Sequence, residues 1–318
     1  MNILITGASG SMAHYLIDHI ERAEPSAHIT GVGRRILPGR AGIDYLQCNL
    51  AEPWGLSFLT QLLVVKTPAM IFHLASDAVV KPSFDNPHSY LANNILSTSN
   101  LYEALRRSGF KGVSFLASTS EVYGAVPEAE NPIKESQPFA PINPYAISKC
   151  AQEHIAQFYF KAYGIKTVIT RAFGYINPLR ADLVTTAVAR QIAETEKNGG
   201  GQIKHGNTTP VRTFCDVRDM AEAYWLAATK CEPGQAYNVG SEDSVTIGDL
   251  IQQLTNAALR TAVKPLDVEF ISDESLMRPS DIVRCVPDCS KFRRATGWKP
   301  RISLRESLEW LMKRVRHE

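Results

Sequence analysis

Asn2-Ile3-Leu4-Ile5-Thr6-Gly7-Ala8-Ser9-Gly10-Ser11-Met12-Ala13 opens the chain with a short apolar run, a glycine turn and the start of an amphipathic helix. Strand, glycine turn and helix in that order are the setting a dinucleotide-binding turn requires. Gly7 permits the tight turn, and Gly10 lets backbone N–H groups approach a pyrophosphate at the positive end of the helix. Ala13 stands where a third glycine would pack helix on strand, and Ser9, Ser11 and Met12 complete the expected cofactor loop. The plain alternative is a strand-to-helix turn with no ligand, so the rest of the chain must decide.

Working outward, apolar runs at residues 28–32, 44–48, 69–74, 112–117, 166–171 and 235–239 read as strands. Helical patterns lie between them, at 54–64, at 88–107 and from Pro144 onward. Such alternation predicts an α/β, Rossmann-type doubly wound parallel sheet. After residue 171 the pattern changes: 173–178 reads as a loop, 183–196 as a helix, Asn198-Gly199-Gly200-Gly201 as a flexible turn and 303–316 as the last helix. The expected organisation is a cofactor domain over 1–175 and about 213–245, with a smaller α+β substrate lobe over about 176–212 and 246–318.

The second strand ends in Gly33-Arg34-Arg35, without the Asp or Glu that holds a ribose 2′-hydroxyl. Two guanidiniums suit a 2′-phosphate, so NADP(H) is expected, with NAD(H) as the alternative. Asn49, Leu50, Leu74, Ala75 and Ala172 fall at or just beyond strand ends and are expected along the same cofactor. His73 is read as a structural residue.

Pro144-Tyr145-Ala146-Ile147-Ser148-Lys149 puts Tyr145 and Lys149 four apart, on one face of a helix that Pro144 helps to start. An ammonium beside a phenol favours the phenolate, which predicts a lowered pKa and a general acid or base near neutral pH. The hydroxyl cluster Ser118-Thr119-Ser120 ends a strand upstream, where ligands of open α/β sheets collect. Thr119, with Ser120 second, is expected to polarise a substrate carbonyl opposite the phenol.

A net charge of +2, 44% hydrophobic and 21% charged residues describe an ordinary globular chain with no basic block for nucleic acid. No apolar run reaches the roughly 20 residues of a membrane span. The N-terminus enters a strand without signal-peptide features, so the expected compartment is the cytoplasm. Cys48, Cys150, Cys215, Cys231, Cys285 and Cys289 show no metal-site spacing and are expected to be reduced thiols.

TGASGSMA (6–13), STSEVYG (118–124) and YAISK (145–149), in this order and spacing, resemble the extended short-chain dehydrogenases/reductases that act on nucleotide sugars, the NAD(P)-dependent epimerase/dehydratase family. The likeness extends to RAFGYINP (171–178), VRTFCDVRDMAEAYWLA (211–227), AYNVG (236–240), RPSDI (278–282) and TGWKPRISL (296–304). Within the family the segments are most similar to GDP-4-dehydro-6-deoxy-D-mannose reductases, which make GDP-D-rhamnose. That resemblance implies hydride delivery from NADPH to a C4 ketone, with Tyr145 as proton donor, Lys149 tuning it and holding the nicotinamide ribose, and Thr119 orienting the carbonyl. It implies nucleotide-sugar contacts at Ser83, Gly174, Asn177, Arg212 and Arg278, the two arginines on the diphosphate. It also implies a homodimer through the helices covering 88–107 and 144–163. Two places depart from the family: Arg171-Ala172-Phe173-Gly174 and Asn177-Pro178-Leu179 stand where relatives carry Arg-x-Phe-Asn and then a Gly-Pro-Gly turn, and Thr213 stands where they often carry Asp.

Three other activities stay open. A nucleotide-sugar 4,6-dehydratase of the GDP-mannose type would use Glu121 as its base. A 4-epimerase would hold NAD tightly, against which Arg34 and Arg35 argue. A non-catalytic dinucleotide sensor would keep the fold without needing Tyr145 and Lys149.

Overall fold

Ile3 and Ile5 bury into one hydrophobic cluster and Leu4 into another, as alternating side chains of a strand covered on both faces must. The computed structural model describes residues 1–35, 42–261, 268–277 and 282–317. Strand β1 (Asn2–Thr6) leads through the glycine turn to α1 (Ser11–Ala23), then β2 (His28–Gly33), β3 (Ile43–Gln47), α2 (Gly55–Lys66) and β4 (Met70–His73). A short helix α3 (Val80–Asp85), which the sequence pattern does not reveal, precedes α4 (Pro87–Arg107). Then come β5 (Val113–Thr119), α5 (Pro144–Tyr163) and β6 (Thr167–Ala172).

Beyond β6, the segment expected to be a loop contains β7 (Tyr175–Ile176), which pairs with a short strand further on. It is followed by α6 (Val184–Asn198), β8 (Gly201–His205), β9 (Val211–Thr213), β10 (Cys215–Asp216), α7 (Val217–Lys230) and β11 (Ala236–Val239). The last elements are β12 (Ser244–Thr246), α8 (Ile247–Thr261), β13 (Val268–Ser272), β14 (Arg284–Cys285), α9 (Ser290–Thr296) and α10 (Leu304–Arg316).

Seven parallel strands form the main sheet in the order β11-β6-β5-β4-β1-β2-β3. This is the doubly wound sheet that the alternation predicts, and β11 returns to its edge beside β6. Helices α1 and α7 supply the cluster on one face, and α2, α4 and α5 the cluster on the other. A separate cluster joins α6, α8 and α10 around Val188, Ile192, Leu254 and Leu311. Small sheets β12-β9-β14 and β13-β8 lie outside the main one; strands of two to five residues carry too little periodicity to be read beforehand. All six cysteines are free and buried. Among the described residues no helix is long and apolar enough to cross a membrane.

Candidate active site

The parallel sheet brings the carboxyl ends of β1, β4, β5 and β6 to one edge, and the expected site residues gather there. Gly7 has φ +72°, and a Cβ on it would lie 2.6 Å from the Ala75 nitrogen. The glycine therefore serves two needs at once, a left-handed turn and the close passage of the Leu74–Ala75 backbone. Gly10 donates from N to Gly7 O at 2.8 Å and closes the turn. Helix α1 has no side-chain cap and no acidic residue in its first turn, so the amides at its N-terminus are left for an anion. Ala13 is fully buried under this turn. The turn thus fits the pyrophosphate of a dinucleotide.

Arg34, in contrast, already has a carboxylate: its Nη2 donates to Asp77 Oδ1 at 2.6 Å, with the guanidinium side chain 58% exposed. Asp77 is itself held by Asn94, whose Oδ1 accepts from the Asp77 amide and whose Nδ2 donates to the Asp77 carbonyl. Arg35 is exposed at the same turn. Asn49 caps the following turn through Ala51, and the Leu50 carbonyl accepts from Asn100. Ala172, at the end of β6, lies beside Thr119 in register.

Asn143 caps α5 by accepting from the Ala146 amide at 2.8 Å, and Pro144 occupies its first turn. The cap sets the helix so that Tyr145 and Lys149 face the edge of the sheet. Thr119 lies close enough to the Tyr145 phenol to oppose the rise of its pKa, whereas Ser120 acts in the same way on the Cys285 thiol. The hydroxyl that meets the phenol is therefore Thr119. Glu121 accepts from Asn143 Nδ2 at 2.9 Å, and its charge also reaches Tyr145.

One electrostatic expectation is overturned. Burial pushes the Tyr145 phenol above its ordinary range, aided by Tyr175 and opposed by the Thr119 hydroxyl. Lys149 does not set it low: its Nζ lies 5.9 Å from the ring centroid and donates to the Ala117 carbonyl at 2.9 Å. Burial also pushes the Lys149 ammonium down to about 7, against the opposing pull of Glu153. Desolvation penalises both charged forms and outweighs their mutual attraction.

His73 is likewise more connected than the sequence suggests. Its Nδ1 is 2.7 Å from Thr6 Oγ1 and its Nε2 2.9 Å from Thr98 Oγ1, and burial, with the Lys149 charge, lowers it to about 3. It is a neutral bridge between β1, β4 and α4.

The residues expected to touch substrate separate into groups. Asn177 is fully buried; its Nδ2 donates to Ser11 Oγ at 3.2 Å and its Oδ1 accepts from the Leu179 amide at 3.0 Å. Ser83 is also buried and donates to the Val80 carbonyl at 2.6 Å. Ser83 thus fixes the backbone of its own short helix, and Asn177 ties Ser11 of the glycine turn to the loop after β7. A Cβ on Gly174 would lie 2.3 Å from the Thr213 carbonyl, so backbone fills the space that the asparagine of relatives would need. Arg212, on β9, donates from Nη1 to the Val211 carbonyl at 2.9 Å. Arg278 lies outside the described residues.

Two residues of the site were missed. Tyr175 is hydrogen-bonded to Arg180, and both lie within electrostatic reach of the Tyr145 phenol. Arg180 grips Asp182 through Nε (2.6 Å) and Nη2 (2.5 Å) and reaches the Ala78 carbonyl at 3.3 Å, tying two loops together over the phenol. The available signal was position alone: Arg180 follows the turn where this chain leaves the family pattern.

A parallel Rossmann sheet with a glycine turn and a Thr-Tyr-Lys group at its carboxyl edge defines an enzyme of the extended short-chain dehydrogenase type. The chain belongs to the family described as GDP-mannose 4,6 dehydratase, whose model matches residues 4–311. It is 31% identical to the GDP-6-deoxy-D-mannose reductase of Pseudomonas aeruginosa over 99% of both chains. It is 25% identical to the dTDP-glucose 4,6-dehydratase of Haemophilus influenzae over 98% of both. Among solved structures, RMD from Pseudomonas aeruginosa complexed with NADPH superposes with a TM-score of 0.84 at 30% identity, covering 99% of each chain.

Proposed function

We propose that this enzyme reduces the C4 ketone of a nucleotide-linked 4-keto-6-deoxy sugar, of the GDP-4-dehydro-6-deoxy-D-mannose to GDP-D-rhamnose type. The observation that carries the reading is the convergence of the Thr119 hydroxyl and Lys149 on the Tyr145 phenol, at the edge where the glycine turn opens. NADPH, the cofactor of the Pseudomonas relative, supplies the hydride when bound. Gly7, Gly10 and the first amides of α1 would hold its pyrophosphate, and Arg34 and Arg35 its 2′-phosphate. Thr119 orients the ketone oxygen, and Tyr145 Oη gives that oxygen its proton. The phenolate left behind is faced by Lys149 and by Arg180. Arg212 and Arg278 would meet the diphosphate, with the lobe over about 176–212 and 246–318 enclosing the nucleotide sugar.

A second reading, dehydration of a nucleotide sugar, is favoured by Glu121, whose carboxylate reaches the same phenol. Assays on GDP-mannose and on its 4-keto-6-deoxy product separate the two. The reductase consumes NADPH with the ketone; dehydration of GDP-mannose without NADPH consumption overturns the first reading. Replacing Tyr145 by Phe is expected to lower turnover about 10²–10⁴-fold while leaving NADPH affinity within about twofold. No turnover in either protein, with NADPH binding unchanged, would point to a dinucleotide sensor.

Leu96, Ile147, Phe158 and Tyr163 leave large apolar side chains exposed on α4 and α5, which supports a homodimer through these helices. The cofactor and the reduced cysteines fit a cytoplasmic enzyme.

A further inference from the structure

We propose that a cavity on the outer side of α1, closed by α7 and α10, is a binding site for a phosphate group. The cavity has a volume of about 220 Å³ and is lined by Arg22, Arg218, Arg314, Tyr15, His14, Asp18 and Trp310. Arg218 is committed to Asp216 by two hydrogen bonds of 2.8 and 2.7 Å and lies 4.0 Å above the Trp310 ring. Arg22 and Arg314 have no carboxylate partner among the described residues, while Asp18 stands 3.8 Å from His14 Nε2. The lining itself carries three guanidiniums against one carboxylate, Asp18, while Arg218 is answered from outside it by Asp216 and, at longer range, by Asp219 and Glu306.

The Tyr15 side chain supplies an independent sign. It is only 7% exposed, it lines the cavity, and its hydroxyl has no hydrogen-bond partner among the described residues. Its oxygen is not among the polar atoms that the fold buries without a partner, so it opens on the cavity and is free to donate there. A phosphate oxygen accepting from that hydroxyl and from the two unpaired guanidiniums would satisfy all three donors. The Trp310 face is already covered by Arg218, which leaves no platform for a nucleobase, so the recognised chemistry is the phosphate itself. Tyr15 packs in one apolar cluster with Met12 of the cofactor turn and with Tyr175.

The test is calorimetric titration of the NADPH-saturated protein at constant ionic strength in chloride, with inorganic phosphate in one arm and pyrophosphate in the other. Tighter binding of inorganic phosphate assigns the site to the free ion, and tighter binding of pyrophosphate to the terminal phosphate of a larger molecule. The double variant Arg22→Ala/Arg314→Ala alters two exposed side chains and is expected to weaken binding about tenfold or more. Tyr15→Phe, which keeps the ring, is expected to weaken it about threefold with the melting temperature unchanged. Arg212→Ala, in the sugar-nucleotide cleft, should remove only pyrophosphate that binds there and leave the inorganic-phosphate titration unaltered. The proposal is overturned if no saturable binding of inorganic phosphate is seen, or if that binding survives in the double variant.

Discussion

Two stripes run side by side along α5, and they hold the same helix by different chemistry. Tyr145, Lys149 and Glu153 form a stripe that carries charge, in which Glu153 accepts from Arg171 Nε and Nη2 and from Ser118, with both ionic partners buried. Ser148 and Gln152 form a neutral stripe: Ser148 accepts from Asn94, and Gln152 Nε2 donates to the Asn94 carbonyl and Thr98 Oγ1. That neutral network continues through Thr98 to His73 and Thr6. Charge is confined to the stripe where chemistry needs it, and the support behind it avoids ions altogether. A buried ion pair is costly to break, whereas neutral hydrogen bonds can be lost singly.

The sharpest way to test that contrast is to remove the carboxylate. Glu153→Gln leaves the Arg171 guanidinium buried without a counter-ion, although Tyr123 Oη and the Glu135 carbonyl still accept from it. The expected loss is about 3–5 kcal/mol in a urea unfolding curve. Glu153 also raises the Lys149 pKa, so the variant's lysine should titrate below its present value of about 7. A loss under about 1 kcal/mol would mean the two stripes are energetically alike.

Acid is the next probe, since the neutral stripe contains one group that can become charged. His73 is held near 3 in the fold and titrates near 6.5 when unfolded, so between these values the unfolded chain binds the extra proton. Stability present above pH 6.5 is therefore lost as the pH falls, by about 2 kcal/mol at pH 5. His73→Gln, which keeps a polar side chain between Thr6 and Thr98 but cannot titrate there, should show a shallower acid slope than the parent. Identical slopes would remove His73 from the explanation.

How much of this was legible beforehand follows the same division. Gly7, Tyr145, Lys149 and Thr119 were readable because each sits in a local pattern, a strand end or one face of a helix, that dictates its geometry. Asn94 and Arg171 reach α5, and Gln152 reaches α4, only once the chain is folded, and their partners lie far off in sequence. Asn177 shows the limit clearly. Its place in a family motif implies a substrate contact, and nothing local tells that its amide also joins the cofactor turn at Ser11 to the loop after β7. The Tyr145 pKa failed for a related reason: spacing reports that Lys149 is near, but not that both groups are buried.

Arg180 tests whether the charged stripe depends on a group outside the helix. Its guanidinium lowers the Tyr145 pKa across the site and stays charged where Lys149, titrating near 7, does not. Arg180→Met is expected to reduce turnover about tenfold, increasingly so as pH rises above 7, because the phenolate then loses both cations. Arg180→Lys should recover part of the alkaline activity. A uniform loss at all pH values, without recovery by lysine, would reduce Arg180 to the tie between loops that Asp182 and Ala78 already describe.

The smallest effect is expected on the neutral stripe itself, with Gln152→Leu. Removing the amide takes away two donated hydrogen bonds, but the Asn94 carbonyl still accepts from Thr98 Oγ1 at 2.9 Å and Ser97 Oγ at 3.2 Å. Gln152 Oε1 is buried with no partner, so the substitution also removes a polar atom that the fold leaves unsatisfied. Leucine is of similar volume and adds apolar contact beside α4. These terms oppose one another, and the net loss should be about 1 kcal/mol or less, read as a urea midpoint with unchanged slope. A loss of about 3 kcal/mol would show that the neutral network acts as a single unit, as dependent on each member as the ion pair on its carboxylate.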